Sequence, residues 1–292
     1  MIAVGIENAL VWVEPRWREL GLRGDCTLWL ERCGLPLAEA LTRRRSKEVL
    51  IAGVSGAQGT GKSSACQLLL PLLEGAYGLR TLVLSLDDFY LSKAARVQLA
   101  AEVHPLFATR GVPGTHDIGA LHACLRALRA ADGGSVFELP RFSKALDDRS
   151  AEVRRESGRF AVVLLEGWCV GAQLEHPGLK PCNALEAEED PDGTFRRYVN
   201  QRLATDYAVA FAELDALVFF AAPDMQSVYA FRREQEEGLR RAGLGGMSDA
   251  QLERFVMHFE RITVQMLREV PAYADVVVQL DRHRAIVGFS ER

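Results

Sequence analysis

Hydrophobic positions along this chain fall into blocks that alternate between two periods. VLIAGVSG (49–56), TLVLSL (81–86), FAVVLLEG (160–167), LDALVFFAAP (214–223) and ADVVVQL (274–280) are short, almost unbroken runs of β-branched and aliphatic residues. Between them lie longer stretches with helical spacing, over 62–73, 92–103, 117–131, 194–212, 224–242 and 248–270. A strand without polar alternation is buried on both faces, and strands separated by helices pair in parallel. The pattern predicts an α/β domain with a central parallel sheet, helices on both faces, and 274–280 as the last strand. Residues 1–46 read as a helical N-terminal extension packed on the core, and 47–292 as the main domain. The extension ends in the basic cluster Arg43-Arg44-Arg45, which reads as a solvated face. Two stretches, 104–116 and 173–193, are rich in Pro, Gly or acids and long for simple connections, so they read as functional or mobile loops.

Composition narrows the classes. The 292 residues carry a formal net charge of −4, so the basic footprint of a nucleic-acid binder is missing. No apolar run approaches the ~20 residues of a membrane helix. The N-terminus lacks the basic start and small-residue cleavage site of a secretory leader. Six cysteines without a C-x-x-C pair read as reduced thiols, which places the protein in the cytoplasm. Five of the 35 basic residues are lysines, so a lysine inside a motif stands out as a chosen point charge.

The first such lysine closes GAQGTGKSS (56–64), directly after the first strand. It satisfies G-x-x-x-x-G-K-[ST] at Gly56, Gly61, Lys62 and Ser63. Glycines let the backbone wrap phosphate oxygens, and the following helix aims its positive end at them. The loop Gly56, Ala57, Gln58, Gly59, Thr60, Gly61, Lys62, Ser63 and Ser64 is thus the candidate ATP site. Lys62 would reach the β/γ-phosphates and Ser63 would hold Mg²⁺. No Asn-Lys-x-Asp guanine reader and no Leu-Ser-Gly-Gly signature occurs, which argues against regulatory GTPases and transporter ATPases and for a small-molecule kinase.

Ligands of an open parallel sheet bind beyond the carboxyl ends of its strands. Two such ends carry acids: Asp87-Asp88 in SLDDFYL (85–91) and Glu166 in FAVVLLEG. Glu166 has the form of an acid that organises Mg²⁺. Paired carboxylates are tolerable near Mg²⁺ and a triphosphate, where one of them can take a proton from an acceptor hydroxyl. Asp88 reads equally as part of the metal shell or as a helix cap.

At this point several motifs in order carry a family resemblance: SLDDFYL, TRGVPGTHD (109–117), LPRFSKALDDR (139–149), VLLEGWCVG (163–171), YVN (198–200) and MSDAQLERFV (247–256). Together they resemble the D-glycerate 3-kinase family of plant and cyanobacterial type, within the phosphoribulokinase, uridine kinase and pantothenate kinase superfamily. The resemblance runs from about residue 47 to 283 and leaves the first 46 uncovered. It implies a three-layer P-loop NTPase fold with a helical lid, ATP and Mg²⁺ as cofactors, and a small anionic substrate. Asp87 resembles the general base, close enough to touch the metal, and Glu166 the metal-associated acid. FRREQE (231–236) resembles the lid, bringing Arg232 or Arg233 onto the transferring phosphoryl. Acceptor candidates are Asp88, Tyr90, Arg110, His116, Arg141 and Lys144, with Arg149 reading as a surface ion pair beside Asp147 and Asp148. Two rivals stay open: a kinase for a nucleoside or pantothenate-like acceptor, stacking on Phe89, Tyr90, Phe142 or Trp168, and a P-loop ATPase acting through a partner.

Overall fold

The computed structural model describes residues 4–46, 48–174, 180–243 and 245–292. Residue 47, at the boundary drawn from sequence, and 175–179, inside the second long loop, lie outside them. Strands in chain order are β1 (Leu50–Gly56), β2 (Thr81–Ser85), β3 (Val136–Leu139), β4 (Phe142–Ser143), β5 (Asp148–Arg149), β6 (Arg154–Ser157), β7 (Val162–Gly167), β8 (Ala216–Ala221), β9 (Val276–Leu280) and β10 (Ile286–Glu291). Six of them form the central sheet in the order β10-β9-β8-β1-β7-β2. All neighbours are parallel except β10, which runs antiparallel to β9. β3 with β6, and β4 with β5, form two small antiparallel ribbons.

The wholly parallel sheet expected from sequence is therefore corrected at one edge, and 274–280 is not the last strand. β10 escaped because Ile286 and Phe289 are only partly buried against the core. Its register also slips between Ile286 and Gly288, which dilutes the pattern that marks the inner strands.

Helices α1 (Ile6–Glu19), α2 (Cys26–Trp29) and α3 (Leu35–Arg44) precede β1. Then come α4 (Lys62–Tyr77), α5 (Lys93–Glu102), α6 (Ile118–Arg129), α7 (Ala184–Glu189), α8 (Thr194–Arg202), α9 (Ala208–Phe211), α10 (Met225–Arg241) and α11 (Asp249–Glu269). Successive residues of a strand point to opposite faces. Leu50, Ala52 and Val54 of β1, with Val162 and Leu164 of β7, pack against α1, α3 and α4. Ile51, Val163 and Leu165, with Phe219 of β8, meet α6, α8 and α11 on the other face. Both faces are covered, and this is why the inner strands show no polar alternation.

Three readings change in detail. Arg43 and Arg44 do not form a solvated face: both pair with Glu291 of β10, and Arg44 also lies 3.7 Å from the Asp275 carboxylate. The N-terminal helices thus clamp the C-terminal strand. The stretch read as one helix over 194–212 is interrupted by a π turn, Leu203–Tyr207. The 104–116 loop is packed rather than mobile. It holds a 3-10 turn (Pro105–Ala108), and residues 111–116 are buried. Among the described residues no helix is long and apolar enough to cross a membrane. All six cysteines are free, so the fold rests on packing and not on covalent staples.

Leu41 of α3 is fully buried in the cluster that includes β1 and α4. Leu41→Ala is expected to lower the unfolding free energy by about 2–5 kcal/mol in denaturant titration. A loss below about 0.5 kcal/mol would mean that the N-terminal helices add nothing to the core.

Candidate active site

β1 ends at Gly56, and the chain turns through Gly59 (φ +80°) and Gly61 (φ +86°) before α4 starts at Lys62. Gly59 is required twice over. Its φ favours glycine, and a β-carbon there would stand 2.6 Å from that of Phe231 in α10. Gly61 is the N-cap of α4 and has no side chain to bond the first-turn N–H groups. Those donors and the helix dipole stay open to an anion. Thr60 braces the loop from inside, its hydroxyl donating to the Ala57 carbonyl at 2.8 Å.

Glu166, near the end of β7, is buried, with 9% of its surface exposed. Its Oε2 accepts from the Ser63 hydroxyl at 2.9 Å and its Oε1 from the Ser85 hydroxyl at 2.7 Å. The Lys62 ammonium stands 4.0 Å from Oε2. Burying a carboxylate is costly unless its oxygens are bonded, and here both are.

After β2 a 3-10 turn (Leu86–Phe89) sends the two adjacent aspartates in different directions. Asp87 enters the cleft, where its Oδ1 accepts from the Tyr90 hydroxyl at 2.9 Å and its Oδ2 pairs with Lys144 at 2.7 Å. Burial alone would raise the Asp87 carboxyl, but the Lys144 and Lys62 charges hold it below the usual carboxylate range. Asp88 turns away and accepts the Phe142 backbone N–H at 3.1 Å. Burial pushes its carboxyl above the usual range against that bond and the Arg141 charge. The helix-cap reading of Asp88 is corrected, since Ser92 caps α5 by accepting from Ala95 N–H at 3.2 Å. Its candidacy as an acceptor contact finds no support either, because it does not line the cleft.

A single cleft of about 830 Å³ gathers the phosphate loop, Asp87, Tyr90, Arg110, Lys144, Glu166 and Arg232. Its far wall is α10 and α11. Phe231 of α10 packs with Ala57 and Ala222, seating the helix on the phosphate loop. Arg232 faces inward, pairs with the buried Glu236 and lies 5.2 Å from the centre of the Phe255 ring. Arg233 is on the solvent side, 3.8 Å from Glu237. Of these two arginines, Arg232 lines the cleft and Arg233 does not.

No family model matches the chain. An uncharacterized kinase of Schizosaccharomyces pombe is 32% identical over 219 residues, which are 72% of this chain and 78% of the yeast protein. The chloroplastic D-glycerate 3-kinase of Arabidopsis thaliana is 29% identical over 72% of this chain and 46% of its own length. The structure of a D-glycerate 3-kinase from Cryptococcus neoformans superimposes with a TM-score of 0.73 at 27% identity, covering 92% of this chain and all of that one. The chain belongs to the D-glycerate 3-kinase family of P-loop kinases. It is a small-molecule kinase, and kinases of this family use ATP.

Besides Asp88, two further candidate acceptor residues fall outside the cleft. His116 is buried, its Nδ1 2.6 Å from the Tyr207 hydroxyl and its ring stacked on Tyr90 with centroids 4.5 Å apart. Burial drives its imidazole down to about 4, so it is neutral and serves the loop hydrogen bond, not the acceptor. Arg141 is exposed because the chain turns its side chain outward just before β4, and it does not line the cleft. Arg149 does form an ion pair, but with Asp117 at 2.8 Å, while its Nε donates to the Tyr90 carbonyl at 2.9 Å.

Sequence reasoning missed Arg96, Asp147 and Ser85. Arg96 lines the cleft, though it is only 1% exposed and is held by the Ala108 and Asp147 carbonyls at 2.8 and 2.6 Å. An arginine on the buried side of α5 was a legible signal. Ser85 sits at a strand end beside two acids and could have been paired with Glu166 on position alone.

Lys144 offsets the burial of Asp87. Removing it in Lys144→Met is expected to raise the Asp87 carboxyl and move the acidic limb of the kcat/KM profile to higher pH. A carboxyl held low contributes stability above its ordinary range and loses it as pH falls through the lowered value, so the variant lacks that contribution at neutral pH and its stability falls less on acidification than the parent's. An unchanged pH profile would show that Lys144 does not set the charge of Asp87.

Proposed function

We propose that the protein transfers the γ-phosphoryl group of ATP to the 3-hydroxyl of D-glycerate. The observation that carries this reading is the meeting, in one cleft, of an open phosphate loop, an ionised Asp87 and side-chain cations. The first binds a triphosphate, the second accepts a hydroxyl proton, and the third suits an acid acceptor. Similarity to proteins named D-glycerate 3-kinases supports the choice of acid.

In this mechanism the α4 N-terminus and Lys62 hold the β- and γ-phosphates, and Arg232 spreads positive charge over the equatorial oxygens of the transferring group. Asp87 takes the proton of the attacking hydroxyl. Both its oxygens are engaged, but each carries two lone pairs, so the base keeps a free acceptor direction. Tyr90 fixes the carboxylate plane through its hydroxyl. The donor set at the foot of the loop, a hydroxyl and a carboxylate 2.9 Å apart, fits Mg²⁺, which takes hard oxygen ligands and leaves the rest to phosphates and water. When bound, Mg²⁺ neutralises phosphate charge; Ser63 and Glu166 are the residues that would hold it. Among the described residues no cluster of three or more His, Cys, Asp or Glu could hold a metal by itself, in keeping with an ion that arrives with the nucleotide.

The nucleoside alternative gains little from the geometry. Phe89 and Trp168 are buried, with Trp168 Nε1 bonded to the Gly111 carbonyl at 2.8 Å. The ring of Phe142 has Tyr90 at its edge and Arg96 and Arg110 within 6 Å of its centre. Tyr90 is buried and stacked on His116, so none of the four rings singled out from the sequence stands free as a platform for a base.

ADP release measured over a panel of acids, nucleosides and sugars tests the proposal. D-glycerate is expected to stimulate turnover, and Asp87→Asn to retain ATP binding while lowering kcat by roughly 10²–10⁴-fold. ADP release that ignores the acceptor, or a near-normal kcat in Asp87→Asn, would overturn it.

A further inference from the structure

Arg96 and Arg110, from separate segments, converge on one carboxylate that belongs to the protein itself. Asp147 lies in the turn between β4 and β5, and all three residues line the cleft that holds Asp87 and the phosphate loop. Arg96 Nη2 lies 3.1 Å from Asp147 Oδ2, and Arg110 pairs with Oδ1. Asp147 adopts φ +52°, a left-handed conformation costly for most side chains but tolerated by aspartate. The turn is thus held in a strained geometry that delivers a carboxylate to a cleft arginine.

We infer that the Asp147 carboxylate occupies the place of the acceptor's own carboxylate, and that an incoming acid displaces it from Arg110. The two arginines are unequal, and this makes the exchange feasible. Arg96 keeps its carbonyl partners at Leu91, Ala108 and Asp147 if the carboxylate leaves, so its buried charge is not orphaned. Arg110 is about 29% exposed, and among the described residues Asp147 is its one hydrogen-bond or ion-pair partner. An acid that replaces Asp147 there restores a charge-assisted bond of the same kind. Neutral acceptors cannot make that replacement, and so face a cleft whose arginine is already satisfied. Asp147 then acts as a built-in competitor that selects for a carboxylate strong enough to displace it. The inference rests on the acid-kinase reading above for the identity of the acid.

A positioning role for Asp147, in which it merely holds Arg110 ready, predicts the opposite sign, and a binding experiment separates the two. D-glycerate is titrated calorimetrically into the full chain saturated with MgADP, for the parent and for Asp147→Asn. Asparagine tolerates φ +52° and keeps the backbone carbonyl that Arg96 uses. Exchange predicts several-fold tighter D-glycerate binding in Asp147→Asn, no such gain for glycerol, and weaker D-glycerate binding in Arg110→Met. Unchanged or weaker D-glycerate binding in Asp147→Asn overturns the inference. Should that variant lose MgADP affinity through misfolding, Asp147→Gly, for which φ +52° is unstrained, decides by the same criterion. Tighter D-glycerate binding without glycerate-dependent ADP release would sink the kinase reading and leave the exchange standing; glycerate turnover with unchanged affinity would do the reverse.

Discussion

The Glu166 carboxylate bonds Ser63 through one oxygen and Ser85 through the other, and with these contacts it joins three neighbouring segments of the sheet edge. The strand order makes this reach natural, since β7 lies between β1 and β2. From the middle strand a single side chain meets the helix that follows β1 on one side and the end of β2 on the other. The burial of the acid is compensated by two hydroxyls and by the Lys62 ammonium. The phosphate loop, the turn bearing Asp87 and the donor set suited to Mg²⁺ therefore share one fixed reference point.

From that point the acids of SLDDFYL divide their work. Two adjacent carboxylates aimed the same way would repel, and the 3-10 turn avoids this by sending Asp88 to the Phe142 N–H and Asp87 into the cleft. Asp87 is steadied by a relay that runs back into the core. Tyr90 bonds it, His116 stacks on Tyr90, and Tyr207 bonds both His116 and the Gly114 N–H. Tyr207 ends the π turn between α8 and α9, an irregularity of the kind that often marks functional positions. The 109–117 loop thus supports Asp87 from behind, while its Thr109 and Arg110 line the cleft.

What the sequence made legible, and what it hid, follow from the same physics. The inner strands were readable because burial on both faces leaves an unbroken apolar run. GAQGTGKSS was readable because the phosphate cradle needs glycine at fixed offsets, and Glu166 because an acid ending an apolar strand is costly without a partner. β10 was not, since an edge strand with a register slip and half-buried residues leaves no clean period. Arg141 and His116 were misplaced for a different reason: spacing in a turn-rich loop does not determine which way a side chain points. Asp147 was hidden because a positive φ at a non-glycine residue has no sequence signature. Arg43 and Arg44 give no local sign of pairing because their partner, Glu291, lies at the other end of the chain.

Membership of the D-glycerate 3-kinase family and the geometry of the cleft meet in one chemical claim: Asp87 and the phosphate loop direct a phosphoryl group onto the primary hydroxyl of a small acid. Phosphorus-31 NMR of the product formed from ATP and D-glycerate tests it most directly. The expected result is a phosphomonoester resonance split by the two methylene protons at carbon 3, growing in step with ADP. A resonance split by the single proton at carbon 2, or inorganic phosphate alone, would contradict it.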